Sequence, residues 1–412
     1  MKRVVVTGMS AITPIGQDWT SVASKLSNGE TGVRYMHEWE NIDGLNTKLG
    51  APVDDFQKPG HYSRKMIRSM GRGSIMATRA TELALGQAGL LEHELTTSGK
   101  MGVSYGSSSG SPDAIAEFGS MQTHNSTNGL NANSYIKMMS HTAPINLAVF
   151  FKLKGRVYTT SSACTSGSQG IGYAYEAIKN NKQTAMVAGG SEELCAPQAA
   201  VFDTLFATST MNETPSSTPR PFDKARDGLV IGEGAGTLIL EELDHAKVRG
   251  AEILAEIVGF GTNCDGTHIT QPSKDTMRIA MELALEDAEL TPRDIGYISA
   301  HGTATDRGDV AESQACFELF GDSVPISAMK SFTGHTLGAC GAIEAWACIN
   351  MQRDKKFHYT ANLTDPDEEC GVLDYIRYTP REIDCPYVMS NNFAFGGINT
   401  SLIFKSWPEA SS

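Results

Sequence analysis

The chain has 412 residues, 40% of them hydrophobic and 20% charged, with 41 glycines. That is the composition of an ordered, turn-rich globular protein of two or three domains at ~100–200 residues each, not of a disordered or fibrous one. A formal net charge of −13 excludes a general nucleic-acid binder, which needs a basic face to neutralise phosphates.

Short apolar runs alternate with helical patterns along the chain. The first run, Arg3–Thr7, is too short for a secretory core and reads as a buried strand. No stretch approaches ~18 apolar residues, so no integral membrane segment is expected. Eight scattered cysteines without a CxxC pair point to reduced thiols in the cytoplasm, without a zinc site or disulfide framework. Arg64, Lys65, Arg68 and Arg72 recur at helical spacing, either as a solvated face or as a docking surface for an acidic partner. A strand over Met101–Tyr105 leads into residues 106–134, whose Gly, Ser, Asn and Thr content reads as a loop-rich insertion. Cys164 comes next, followed by a helical pattern from Gly170 to Ile178 and a strand over Ala185–Ala188. Residues 212–226, rich in Pro, Ser, Thr and Asp, read as an ordered surface loop.

Gly232-Glu233-Gly234-Ala235-Gly236 lacks GxGxxG spacing and precedes the strand Gly236–Glu241. It therefore reads as the close-packed or bulged start of a strand, not as a dinucleotide site. After the charged run Glu241–Lys247 a second half opens near Ala251. It holds strands over Ile253–Gly259, Gly296–Ser299 and Ile398–Phe404. Its helix carries Met277, Ala280, Met281, Ala284, Leu285 and Ala288 on one face. The alternation predicts an α/β architecture in two halves, 1–250 and 251–412.

Three residues carry the chemistry. Cys164 lies in Ser161-Ser162-Ala163-Cys164-Thr165-Ser166-Gly167, free of bulky side chains, which permits a sharp strand-to-helix elbow. At a helix start the dipole and free N–H groups favour thiolate, lowering a pKa of about 8.5. A lone cysteine is more often a buried structural thiol than a nucleophile, and a lone turn histidine more often simply a hydrogen-bonded one. His301, before Gly302, and His335, between Gly334 and Gly338, change that balance, because one poised thiol and two tightly held imidazoles suit covalent acyl chemistry. No third ligand has suitable spacing for a metal, so none is expected. Phe393-Ala394-Phe395-Gly396-Gly397 is either a plain hydrophobic turn or a glycine-hinged lid.

Ser161–Cys164, Gly189–Glu193, Pro221–Asp223, Arg226–Gly228, His301–Thr305, Lys330–His335 and Asn391–Gly397 together resemble the elongating β-ketoacyl-acyl carrier protein synthases of the thiolase superfamily, over almost the whole chain. The resemblance implies a thiolase-like fold of two pseudo-symmetric halves in a layered α-β-α-β-α core. It implies decarboxylative condensation of malonyl-carrier protein with an acyl group held on Cys164. His301 and His335 then bind the malonyl thioester carbonyl, and Lys330 and Glu312 form a supporting pair. Phe393 and Phe395 form the gate, the Phe395 N–H joins that of Cys164 in an oxyanion hole, and Thr303 and Thr305 touch the pantetheine arm. Arg64, Lys65, Arg68 and Arg72 match the carrier-docking helix; Asn128 and Asn131 stand where some relatives have a second basic patch. No cofactor is implied beyond the carrier's phosphopantetheine.

Three departures bear on the substrate: Asp306-Arg307-Gly308-Asp309 where proline is common after Thr305, Ala394 in place of a hinge glycine, and Ser109 where relatives set pocket depth. With Thr78–Leu85, these look most like ketosynthases of bacterial aryl polyene clusters, implying a homodimer or a heterodimer with a chain-length-factor-like subunit, with residues near Tyr135 reaching across. Fatty-acid elongation with saturated acyl groups is the rival within the class. A non-catalytic scaffold and a thioester hydrolase are the readings outside it.

Overall fold

In the computed structural model, which describes residues 1–408, the chain runs twice through one succession of elements. The first pass contains β1 (Val4–Ile12), α1 (Arg64–Ile67), α2 (Arg72–Gln87), β2 (Met101–Gly106), α3 (Pro112–His124), α4 (Ala132–Met138), β3 (Val157–Thr159), α5 (Ser166–Lys179), β4 (Ala185–Glu192), α6 (Ala196–Asp203) and β5 (Gly234–Glu242). The second contains β6 (Ala255–Cys264), α7 (Lys274–Ala288), β7 (Ile295–Ser299), α8 (Asp306–Phe320), β8 (Pro325–Ser327), α9 (Cys340–Asp354), β9 (Asp374–Tyr375), β10 (Tyr387–Phe393) and β11 (Ile398–Ser406). The series β1-α2-β2-β3-α5-β4-β5 matches β6-α7-β7-β8-α9-β10-β11 element for element.

The strands form one hydrogen-bonded sheet in the order β9-β8-β7-β10-β11-β6-β1-β5-β4-β2-β3. In each half the helix-connected strands pair in parallel, β2 with β3 and β4, β7 with β8 and β10. The last strand of each half returns antiparallel. The halves meet where Val4, Val5 and Val6 lie opposite Ile257, Glu256 and Ala255.

Helices α5 and α9 pack on one another and on strands of both halves, with Ile171, Ala174, Ala342, Ile343 and Trp346 in one buried cluster with Val4, Leu238, Ile257 and Leu402. A helix enclosed on all sides has no polar face to spare, and α9 is buried at nearly every position. Helix α2 covers the outer face of the first half and α7 that of the second, which completes the α-β-α-β-α layering. The apolar face expected on α7 is the one it buries, and Ser273 caps its start by accepting the Thr276 N–H.

The structure corrects three expectations. Residues 106–134 are not all loop, because Pro112 opens α3 and Asn131 caps α4; the Gly/Ser/Asn content belongs to the turns flanking them. Residues 212–226 are not only surface, since Phe222 and Asp223 are fully buried. Strand β10 escaped the periodicity, because buried Ser390, Asn391 and Asn392 interrupt its apolar run. The segment after Ile231 does enter β5 under close packing, with Glu233 buried at the turn. Among the described residues no helix is long and apolar enough to cross a membrane.

Gly259 and Gly261 of β6 let α7 lie directly on the sheet. A Cβ at Gly261 would sit 2.0 Å from the Ala280 carbonyl oxygen, backbone that cannot step aside. Gly261→Ala is expected to cost about 1–3 kcal/mol through overpacking, seen as a lowered midpoint in chemical denaturation.

Candidate active site

Cys164 occupies the tight turn Ala163–Thr165 between β3 and α5. Ala163 holds a φ of 51°, a left-handed conformation uncommon outside glycine. The flanking hydroxyls hold that turn: Ser166 Oγ accepts the Ser162 N–H at 3.0 Å and donates to the Ala163 carbonyl at 2.7 Å, while Thr165 Oγ1 donates to the Ser162 carbonyl at 2.8 Å. The small polar residues of the motif are thus the scaffold of a strained elbow. At the equivalent place in the second half, the turn between β8 and α9 carries His335. The two turns approach through glycine: a Cβ on Gly190 would lie 2.2 Å from the Gly338 carbonyl oxygen, and one on Gly167 would lie 2.9 Å from it. This closeness sets His335 Nε2 3.0 Å from Cys164 Sγ.

His301 follows β7. Its N–H and that of Gly302 both donate to the Glu312 carboxylate, at 2.6 and 2.7 Å. Its Nδ1 lies 3.1 Å from Lys330 Nζ, which donates to Glu344 Oε1 at 2.5 Å; Asn392 Nδ2 donates to Glu344 Oε2 at 2.7 Å. The expected Lys330–Glu312 pair is therefore not the direct one. Glu312 shapes the His301 backbone, and the ion pair is Lys330–Glu344. Glu344 and Asn392 went unassigned in the sequence, although an acid alone on the apolar pattern Ala342-Ile343-Glu344-Ala345-Trp346 is a legible sign of a buried charge needing a partner.

These contacts settle where the imidazole protons sit. An ammonium can only donate, so His301 Nδ1 is the acceptor and Nε2 carries the hydrogen. His335 Nδ1 accepts the Leu337 N–H at 3.2 Å, which leaves Nε2–H as its donor as well. Burial, then the Lys330 charge, pushes both histidines well below the ordinary 6.5, so both are neutral. Burial pushes the Cys164 thiol up to about 11, against the Phe395 N–H, the Lys330 charge and its own N–H. The expected lowering is thus reversed, because desolvation outweighs the helix start. Burial likewise lifts Glu312 to about 8 despite its two N–H donors. Lys330 is also penalised by burial, yet Cys340, Glu344 and Glu312 around it hold its proton above the ordinary lysine value.

The donor atoms of Cys164, His301 and His335 lie within 4.8 Å of one another, so space supplies the third metal-ligand type that sequence spacing did not. A cation there would face the Lys330 ammonium, which lies 3.1 Å from His301 Nδ1 and opposes its binding.

A cleft of about 540 Å³ reaches this cluster, lined by Thr303, Thr305, Phe393 and Phe395 among others. The Thr303 and Thr305 hydroxyls are 2.8 Å apart. Phe393 ends β10 and is buried, its ring 6.2 Å from that of His301. Phe395 lies in the following turn beside Gly396 and Gly397, its ring edge-on to Phe202 at 5.7 Å. Ser109 stands outside this cleft lining and donates to Glu192 at 3.2 Å. Arg64, Lys65 and Arg68 are exposed on and just after α1. Arg72 parts from them, since its guanidinium is hydrogen-bonded to buried Glu233 at 2.8–3.1 Å.

The family model "Beta-ketoacyl synthase, N-terminal domain" matches residues 1–246, and "Beta-ketoacyl synthase, C-terminal domain" matches residues 254–364. The 3-oxoacyl-[acyl-carrier-protein] synthase 2 of Vibrio harveyi is 38% identical, over 99% of each chain. A crystallised β-ketoacyl synthase from Burkholderia phymatum STM815 superposes with a TM-score of 0.98 at 57% identity, covering 99% of this chain and 100% of that one. The solved ishigamide ketosynthase/chain length factor superposes with a TM-score of 0.90 at 29% identity, covering 99% of this chain and 100% of that one.

Removing one member of the Lys330–Glu344 pair strands the other charge. Lys330→Met is expected to lower stability by about 3–5 kcal/mol, and adding Glu344→Leu to recover most of it, both measured by chemical denaturation.

Proposed function

This chain belongs to the β-ketoacyl synthase family and is a 3-oxoacyl-[acyl-carrier-protein] synthase, an acyltransferase; from that premise we propose that it condenses at Cys164 and extends an aryl or polyenoyl chain. The observation that carries the assignment of Cys164 is two neutral imidazoles, each with its hydrogen on Nε2, converging with that sulfur within 4.8 Å.

In the proposed sequence the Cys164 sulfur attacks the carrier thioester carbonyl. The N–H groups of Cys164 and Phe395, both of which reach that sulfur, stabilise the oxyanion. The carrier thiol departs with the proton that Cys164 gives up, leaving an acyl-Cys164 thioester. Malonyl-carrier protein then enters, with Thr303 and Thr305 on its pantetheine arm, and loses CO₂. Its electron pair becomes an enolate held by the Nε2–H donors of His301 and His335. The enolate carbon attacks the acyl carbonyl, the C–S bond to Cys164 breaks, and the sulfur takes up a proton. Lys330 is a positioning residue, holding His301 in the donor tautomer. Hydrolysis is a poor alternative, since neither Nε2 has a lone pair with which to activate water.

Three features support the aryl or polyenoyl substrate: Ala394 in the gate, Ser109 behind the site, and exposed Asp306 beside Arg307 at the cleft mouth. Saturated fatty-acyl elongation is the second reading, favoured by the match to the Vibrio harveyi enzyme. Exposed Arg64, Lys65 and Arg68 suit an acidic carrier protein, and the eight free cysteines suit a cytoplasmic setting. Strand β3 ends the sheet with Val157 and Thr159 exposed, an open edge suited to a second subunit, whether another copy or a chain-length-factor-like one. Exposed Tyr135 is proposed to reach across that interface.

Intact-mass spectrometry with saturated and aryl-polyenoyl carrier thioesters is expected to show conjugated acyl groups on Cys164 and none on Cys164→Ala. Preferential loading of saturated chains would return the enzyme to fatty-acid elongation. Cys164→Gln is expected to lose condensation and keep malonyl decarboxylation. Both histidines titrate well below 6.5 and the donor form is the neutral one, so no loss of that decarboxylation centred near 6.5 is expected as the pH falls from 8. A fall centred at 6.5 would contradict the histidine assignment.

A further inference from the structure

Helix α6 turns two side chains, one turn apart, toward the surroundings of Cys164. Phe202 meets the ring of Phe395, whose N–H reaches the Cys164 sulfur. Gln198 lies four residues earlier on the same face, ~6 Å along the axis. Its Nε2–H donates to Ser109 Oγ at 2.8 Å, and Ser109 donates in turn to Glu192 Oε1 at 3.2 Å. Glu192 is fully buried and accepts three further donors: the Ser107 hydroxyl at 3.0 Å, the Ser108 N–H at 2.8 Å and the Gly338 N–H at 3.0 Å. Gly338 belongs to the turn that carries His335, so this polar cluster adjoins the reacting groups.

Proton counting fixes the amide. Ser109 has one hydroxyl hydrogen, and Glu192 takes it, so Gln198 must turn its NH₂ to Ser109. Gln198 Oε1 is then left buried with no hydrogen-bond partner. An unmet buried acceptor is costly, and neither the fold nor the condensation chemistry uses this one.

We propose that Gln198, oriented by Ser109 and Glu192, is a specificity-determining residue whose free carbonyl oxygen accepts a hydrogen bond from a hydroxyl, phenolic or aliphatic, at the far end of the acyl group on Cys164. The proposal rests on Cys164 as the acyl-bearing residue and sharpens the substrate class to hydroxyl-terminated chains. A chain ending in a methyl group would seal off the same acceptor from water without replacing its partner, and sites of that kind discriminate strongly.

The test is a competition, read by intact mass on Cys164, between carrier-protein thioesters of matched size: 4-hydroxycinnamoyl against 4-methylcinnamoyl, and 8-hydroxyoctanoyl against nonanoyl. The wild-type protein is expected to load the hydroxylated member of at least one pair about tenfold faster, as one buried hydrogen bond supplies. Gln198→Met, similar in length but without the acceptor, is expected to abolish or reverse that preference. Because each readout is a ratio within one sample, loss of folded protein cancels. Equal loading by the wild type, or a preference unchanged in Gln198→Met, overturns the proposal and leaves Cys164 as the acyl carrier. No loading of any of the four thioesters overturns both.

Discussion

The buried ammonium of Lys330 organises the reacting groups of this molecule. Lys330 has 1% of its surface exposed, and a charge so placed must be met on every side. Glu344 neutralises it, Asn392 holds Glu344, and His301 offers a lone pair as a third contact. The last contact has the chemical consequence, because it commits the imidazole hydrogen to the other nitrogen. The same positive charge helps keep both histidines unprotonated and pulls against the desolvation that raises the Cys164 thiol. One ammonium thus sets donor orientation, charge state and part of the nucleophile's reactivity without being assigned a place at the substrate.

The repeated architecture explains how groups so far apart in sequence meet. Cys164 and His335 stand at equivalent turns, each between a helix-connected parallel strand and one of the two central helices. His301 and Phe395 follow β7 and β10 of the second half. Because α5 and α9 pack side by side between the sheet halves, their leading turns are brought together by the same burial that stabilises the core. The acidic residues below the turns finish the geometry: Glu312 takes the backbone of the His301 loop, and Glu192 takes that of the His335 turn.

Much of this was legible in the residues. The small-residue elbow at Cys164, the glycine-bounded histidines and the apolar face of α7 correspond to local physics, namely steric permission and helical periodicity. What was hidden is relational. Strand β10 has a polar stretch that only tertiary packing makes buried. Lys330 is joined to Glu344 across a turn: the apolar run around Glu344 marks a buried acid, but not which cation meets it. The thiol's direction depended on a competition between dipole and desolvation, and only the depth of burial decides it. Arg72 has the spacing of its basic neighbours, yet Glu233 claims it from 161 residues away.

The seam between the halves bears on how the chain is made. Strand β1 leaves the ribosome well before its partners, since it pairs with β5 on one side and with Ala255–Ile257 on the other. At roughly 5–20 residues per second, its wait for those partners lasts on the order of ten to fifty seconds. Throughout that interval a strand that is buried at all nine positions in the finished protein has no native strand to pair with. Closure over so long a stretch of chain is slow, so β1 is made before the strands it needs and is among the last to settle.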